Sequence, residues 1–462
     1  MALGKRERER QEDLFVTADK LPRSPGHVFY QKLNQLLLEA GFDAWVEELC
    51  GPHYAASGRP GIPPGTYFRM LLVGYFEGIG AQRGIAWRCS DSLSIREFLG
   101  VPLGQDSPDH SSLTVIRNRL PLEIHTQVFQ WILRLAAEKK LLSGKTVGVD
   151  STTVEANAAM KSIVRKDTGE DWREYLTRLL RESGQIGPDE TPTIDQLRKF
   201  DKQRKDKKVS NEDWTSETDP DARIAKMKDG TTHLAYKAEH VVDLETEIIV
   251  GAEIYPANEA DSHTLEDSLN QAQTNLREAG SDAQIQDAVA DKGYHANETL
   301  TEIREHSPIR TYIPEPQGQH DRTWEDKPPE QKKAVYANRQ RTNGKRGKRL
   351  QRLRSERVER SFAHVCETGG ARRTWLRGLE KVHKRYLLAA AAHNLGCLMR
   401  RLFGIGTPRG LSSLLDLAAA IHLATLALLE LLTTPQRLSS PHPFTSLHFF
   451  AFVKNERCST GC

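Results

Sequence analysis

The chain of 462 residues has only six cysteines, Cys50, Cys89, Cys366, Cys397, Cys458 and Cys462, and no two of them form a CxxC pair. That scatter excludes a zinc ribbon and offers no disulfide framework, so reduced thiols are expected. A long apolar run is missing too. The oiliest stretch, LAAAIHLATLALL (Leu417 to Leu429), contains His422 and Thr425 and stops at Glu430. It is too short to span a bilayer and is expected as a buried helix. The opening MALGKRERERQEDLF is charged throughout and holds no apolar signal segment. Charge of one sign is absent as well, because 65 Lys and Arg face 62 Asp and Glu for a net +3. Any nucleic-acid partner must therefore be met by local basic clusters. No internal repeat is visible. With 38% apolar and 27% charged residues, a soluble cytoplasmic protein of two or three domains is expected, with no membrane partner.

From about Phe29 to Leu141 the pattern is helical. VFYQKLNQLLLEAGF carries Leu33, Leu36, Leu37 and Leu38 and closes on Gly41; IPPGTYFRMLLVGYFEGI opens on prolines that suit a helix entry. SPDHSSLTVIRNRLP offers Ser and Asp as N-caps before a helix bearing Arg117 and Arg119. At Lys145 the period changes from helix to strand. HLAYKAEHVVD alternates through Leu234, Tyr236, Ala238, His240 and Val242, and Ile248, Val250, Ala252 and Ile254 alternate again after a polar turn at Leu244 to Glu247. That is an antiparallel hairpin. The expected layout is a charged segment 1–28, an all-α domain 29–141, and an α/β domain 145–402. The α/β domain includes a charged insertion at about 161–228 and a basic segment 332–360. A C-terminal helix and tail, 403–462, complete the chain.

In TVGVDSTTVEANA, Asp150 ends an apolar strand, where a charge is costly unless it has a partner. The bland reading is that it merely ends the strand and caps the next few residues. Asp291 in AVADKGY sits in the same context, a strand before a glycine turn. Glu359 in RSERVERSFAHV lies on a helix whose apolar face is Val358, Phe362 and Val365. Two strand-end aspartates and a helical glutamate form a set of hard oxygen ligands suited to Mg2+ or Mn2+. Two such ions can activate a hydroxyl nucleophile and stabilise the leaving oxygen of a phosphodiester. The third carboxylate lies in the most basic section, Lys332 to Arg360, with twelve Lys or Arg and only two acids, Glu356 and Glu359. Such a section is suited to neutralising phosphates.

Five motifs in order, PDHSSLTVIRNRL, VGVDSTTVEANA, HLAYKAEHVVD with YPANEAD, ADKGYHA, and RVERSFAHVCETGGARRTWLRGLEKVHKRYLLAAAAHNLG, resemble those of the DDE transposases of bacterial insertion sequences. The resemblance covers most of residues 30 to 400. It implies an α/β fold, a ribonuclease-H-like mixed sheet flanked by helices, preceded by an all-α N-terminal domain that binds DNA. It further implies Asp150, Asp291 and Glu359 as catalytic residues and as metal ligands for two Mg2+ or Mn2+ ions. The reaction is cleavage at the element's ends and strand transfer into target DNA. Partners are then double-stranded DNA, as terminal inverted repeats and as target, and a second copy of the chain, since two ends are handled at once. The cytoplasm of a bacterium, at nucleoid DNA, is the place implied.

The match is untidy at the glutamate. The wider superfamily often shows Tyr-x2-Arg-x3-Glu-x6-Lys; anchored on Glu359, those positions hold Arg352, Ser355 and Cys366. Anchored on Glu356, the Arg position holds Arg352 and the Lys position Ala363. The VER context favours Glu359. Phosphate contacts are expected from Arg352, Arg354, Arg357, Arg360, Arg372, Arg373, Lys384 and Arg385. His233 and His240 read as packing or phosphate contacts, Asp261 and His263 as helix caps before site-lining residues, Tyr294 as packing beside Asp291 before stacking on a base, and Trp87, Trp172 and Trp375 as core or surface anchors, with Trp375 the best DNA wedge among them. A plain nuclease of the same fold and a silent DNA-binding regulator are the rival readings.

Overall fold

The computed structural model describes residues 27–58, 61–204, 210–227, 230–316, 324–325 and 327–409. The charged start, the oily helix at Leu417 to Leu429 and the tail lie outside them. Seven helices come first: α1 (Val28–Glu39), α2 (Phe42–Cys50), α3 (Pro64–Phe76), α4 (Gln82–Asp91), α5 (Leu93–Leu99), α6 (His110–Arg119) and α7 (Leu122–Glu138). Local chemistry sets their ends. Gly41 takes φ 69° between α1 and α2, Pro64 opens α3 where its missing N–H costs nothing, and Asp109 accepts from Ser111 N at 2.9 Å to cap α6. Their inward side chains, among them Phe29, Leu33, Phe68, Leu72 and Phe129, are fully buried.

The strands are β1 (Thr146–Glu155), β2 (Ile163–Arg165), β3 (Trp214–Ser216), β4 (Arg223–Lys226), β5 (Thr232–Asp243), β6 (Ile249–Pro256), β7 (Asp287–Val289) and β8 (Arg310–Tyr312). Six of them form one mixed sheet in the order β4-β5-β1-β7-β8, with β6 also paired to β5. The β5–β6 hairpin is the one read from the sequence. β1 runs antiparallel to β5, with Asp150 opposite His240, and parallel to β7, with Gly148 opposite Val289.

Between the strands lie α8 (Trp172–Glu182), α9 (Ile194–Gln203), α10 (Asp261–Glu278) and α11 (Asn297–His306), and after them α12 (Pro329–Asn343), α13 (Lys345–Phe362) and α14 (Leu379–Phe403). Successive residues of β5 reach opposite faces. His240 is bonded by Ser361 of α13 and Tyr386 of α14, while Lys237 and Glu239 are bonded by Thr264 of α10. Helices thus cover both faces of the sheet. This is the expected mixed sheet flanked by helices and preceded by an all-helical region. α14 is buried almost all round from Tyr386 to Met399, which marks it as a central helix, and it packs on β6, α3 and α7.

Two differences from the sequence reading have clear causes. The charged stretch after β1 is more regular than its composition suggests, because capping boxes start α8 (Asp171 with Glu174) and α9 (Thr193 with Gln196), and Leu176, Leu180 and Leu197 form a small core. The helix expected to carry Glu359, α13, begins at Lys345 and is separated from α14 by an interruption. A π-helical turn (Ala363–Thr368) ends at Gly369, where a Cβ would lie 2.5 Å from the Tyr75 ring, and at Gly370, with φ 72°. The four cysteines among the described residues, Cys50, Cys89, Cys366 and Cys397, are buried, and no described helix is long and apolar enough to cross a membrane.

Candidate active site and nucleic-acid interface

The β1–β7 pairing ends at Gly148 opposite Val289, so Asp150 lies two residues further along β1 and Asp291 two residues beyond the end of β7, both at the same edge of the pairing. Asp291 leaves the end of β7 and caps the next turn, accepting from Gly293 N at 2.7 Å. Burial raises the Asp150 carboxyl; Arg354 pulls it back, and the Asp291 charge pushes it further up. The two carboxylates therefore feel each other.

Helix α13 crosses above them. Gln351 donates to the carbonyls of Ala290 (3.0 Å) and Tyr312 (2.6 Å), Arg354 donates to Asp150 Oδ2 at 2.6 Å, and Ser361 meets His240 at 2.8 Å. The helix can lie this low because residue 148 is glycine: a Cβ there would stand 2.8 Å from Val358 Cγ2 and 2.7 Å from Leu244 Cδ2. Gln351, Ser355 and Glu359 share one stripe of the helix at i, i+4 and i+8. Glu359 is exposed and accepts from Ser355 Oγ at 2.9 Å. Glu356 faces another way, in a 2.7 Å pair with Arg360, which also bonds Glu247 at 2.9 Å.

Hard oxygens at Asp150 and Asp291 fit a divalent cation in chemistry, and the Arg354 guanidinium on Asp150 stands where positive charge is wanted. Among the described residues, though, no three His, Cys, Asp or Glu side chains are gathered closely enough to hold one ion. Like charges repel, and Arg354 rather than Glu359 is the partner that Asp150 has.

The expected phosphate contacts divide by burial. Arg352 is exposed on α13. Arg372 donates to Thr152 Oγ1 at 2.9 Å and pairs with Glu367 at 2.6 Å; Arg373 lies over the Trp375 ring at 5.1 Å. The 371–375 segment runs alongside the end of β1, with Glu155 bridged to Arg373, and Trp375 is 51% exposed. Other basic residues already hold partners within the protein. Arg354 serves Asp150, Arg357 bonds Leu244 O, and Arg360 holds Glu247. Lys384 is 4% exposed, between Glu380 and Arg117 O, and Arg385 binds the carbonyls of Leu71 and Ile79, where burial pushes its guanidinium down to about 10. Lys384 and Arg385 are thus corrections: they fasten α14 to the helical region and present no free charge at the surface. His240 is a core residue, stacked on Phe362 at 4.1 Å. His233 lies 3.7 Å from Glu155.

Sequence reasoning passed over Lys237 and Glu239. The alternation in HLAYKAEHVVD suggests that their face of β5 meets water, yet they are 4% and 0% exposed because α10 covers it. Asp261, expected as a cap, is instead the first residue of α10: Ala260 holds the cap position without a side-chain cap bond, and Asp261 accepts from Ser151 Oγ at 2.9 Å, directly behind Asp150.

A model described as "Transposase domain (DUF772)" matches residues 17–119, and one described as "Transposase DDE domain" matches residues 194–395. Asp291 and Glu359 fall inside the second match and Asp150 lies before it. No curated protein and no solved structure matches the chain. The helical region and the ribonuclease-H-like sheet come one after the other in the order of these two domains, and the chain belongs to the DDE transposases of insertion sequences.

Proposed function

We propose that this transposase cuts DNA at the ends of its own element and joins the freed ends to target DNA at a site made by Asp150, Asp291 and Glu359. The observation that supports this reading is the β1–β7 register, which ends two residues before each of the two aspartates, with Arg354 of the basic helix α13 bonded to Asp150. Mg2+ or Mn2+, two ions in all, bound by these carboxylates would lower the pKa of an attacking water or hydroxyl and stabilise the leaving 3′-oxygen. The chain's own residues do the rest. Asp150 on β1 and Asp291 just past β7 hold the phosphodiester's surroundings negative enough to recruit cations. Arg352, Arg372 and Arg373 bind phosphates beside them, and Trp375 stacks on a base. Glu359 closes the site from α13 once DNA and cations offset the mutual repulsion of the three carboxylates.

The helical domain 29–141 recognises the terminal repeats, and the domain 145–402, with its insertion 161–228 and basic segment 332–360, does the chemistry. The working complex holds at least two copies, one for each DNA end, on nucleoid DNA in the bacterial cytoplasm.

The test uses the full chain, Mg2+ and labelled duplexes carrying the sequences that flank its gene, with Asp291→Asn run in parallel. Discrete cuts and joined products from wild type, with binding alone from the variant, support the reading. Cuts without any joined product would reduce the protein to a nuclease. Binding without cuts from either protein would make it a DNA-binding regulator.

A further inference from the structure

The two aspartates are held from behind by one buried ammonium. Ser151 comes directly after Asp150 and points to the opposite face of β1, where its hydroxyl donates to Asp261 Oδ1 at 2.9 Å. The same oxygen lies 2.9 Å from Lys237 Nζ on β5. Lys237 also donates to Thr264 Oγ1 at 2.8 Å and stands 3.4 Å from Glu239 Oε2. Glu239 Oε2 in turn accepts from Tyr294 Oη at 2.9 Å. Tyr294 is fully buried and closes the short turn that Asp291 begins. Asp261 presses on that turn as well: a Cβ on Gly293 would lie 3.0 Å from its Oδ2.

Lys237 is therefore linked through Asp261 to the neighbour of Asp150, and through Glu239 to the third residue after Asp291. A buried Lys with two carboxylates is a poor way to gain stability, since an apolar replacement of similar volume is often as good. What this set does is fix two backbone segments relative to each other. A shift of the Asp291 turn would break the buried Tyr294–Glu239 bond, where no water replaces it, and a shift of β1 would break the partly buried Ser151–Asp261 bond.

We propose that Lys237, acting through Asp261 and through Glu239 with Tyr294, is a positioning residue that sets the separation of Asp150 and Asp291 and thereby the affinity for the divalent cation. It touches neither DNA nor metal. The proposal rests on the reading that Asp150 and Asp291 hold that cation. It also accounts for the tyrosine of the ADKGY motif, whose hydroxyl docks the second aspartate's turn onto Glu239.

Three variants test it: Lys237→Met, Asp261→Asn and Tyr294→Phe, the last removing a single hydroxyl. Mn2+ binding to the DNA-free protein is measured by electron paramagnetic resonance of the free ion, alongside the Mg2+ concentration for half-maximal cleavage and the melting temperature. The expected result is Mn2+ affinity weakened about tenfold in each, as is usual when the support of a metal ligand is lost. The Mg2+ half-saturation should rise by a similar factor, with a smaller change in the maximal rate. A lower melting temperature with unchanged Mn2+ affinity would make the network purely structural and overturn the proposal. If Lys237→Met does not fold, Tyr294→Phe decides alone. Failure of the underlying reading looks different: Asp291→Asn would then itself bind Mn2+ and cleave like wild type.

Discussion

Arg354 on α13 and Asp150 on β1, 204 residues apart in sequence, meet at 2.6 Å with side chains 11% and 22% exposed. A guanidinium so placed competes with any other cation for the same carboxylate. Arg354→Gln should therefore raise the affinity of the DNA-free protein for Mn2+ severalfold, a gain of about 1 kcal/mol. Isothermal titration with MnCl2 would show it, and an unchanged or weaker affinity would dispose of the competition.

The two glutamates of α13 should separate cleanly. Glu359→Gln is expected to lower cleavage by about two orders of magnitude or more, since loss of a ligand exceeds the usual cost of losing its support. Glu356→Gln gives up an exposed pair with Arg360 and should change stability by at most about 0.5 kcal/mol. Cleavage assays on both variants check this, and the reverse order of effects would move the third carboxylate to Glu356.

Gly148 is a packing requirement. A methyl group there would press on Val358, Leu244 and Arg354 at 2.7 to 3.2 Å. Gly148→Ala is expected to cost about 1–3 kcal/mol and to lift α13 from the sheet. Urea unfolding measures the cost, and a neutral result would mean that α13 is free to rise without penalty.

His125 gives a pH test. Burial pushes its imidazole down to about 3, and it lies between Tyr67 Oη and Pro121 O, each at 3.1 Å. The folded value is below the unfolded one of about 6.5, so the unfolded chain binds a proton that the folded one refuses. The contribution is therefore complete above about pH 6.5 and is lost as pH falls toward 3. Between pH 7 and pH 5, wild type should lose about 2 kcal/mol of stability relative to His125→Gln. Parallel stability curves for the two proteins would refute the assignment.

Trp375 offers an exposed ring beside Arg373. Trp375→Ala should leave the melting temperature unchanged and weaken binding of a DNA end with unpaired terminal bases by about 1–3 kcal/mol, with less effect on a plain duplex. Fluorescence anisotropy on the two substrates would show the difference, and equal losses on both would argue against stacking.

Much of this was legible because the signals are local. Alternation across Leu234 to Val242 showed β5, and a carboxylate at the end of VGVD and of AVAD marked Asp150 and Asp291. Pairings across the chain were not legible. Nothing near Arg354 in sequence announces Asp150, and neither Lys384 nor Arg385 looks different from a surface cation until α3 and α6 close over them. Lys237 and Glu239 were missed for a related reason. Period-2 patterning tells one face of a strand from the other, but it does not tell whether the polar face meets water or a second helix.

Helix α14 touches the helical region and the sheet at once: Arg385 holds Leu71 O and Ile79 O on one side, and Asn394 bonds the backbone of Ile249 on the other at 2.8 Å. Because that helix is buried almost all round, neither side can swing without exposing it. Under the proposed function, sequence reading and cutting would share one rigid frame, and the distance between them would work as a ruler. Inserting or deleting a base pair between the recognised repeat and the cleavage point should leave the cut at a constant distance from the repeat, not at a constant base.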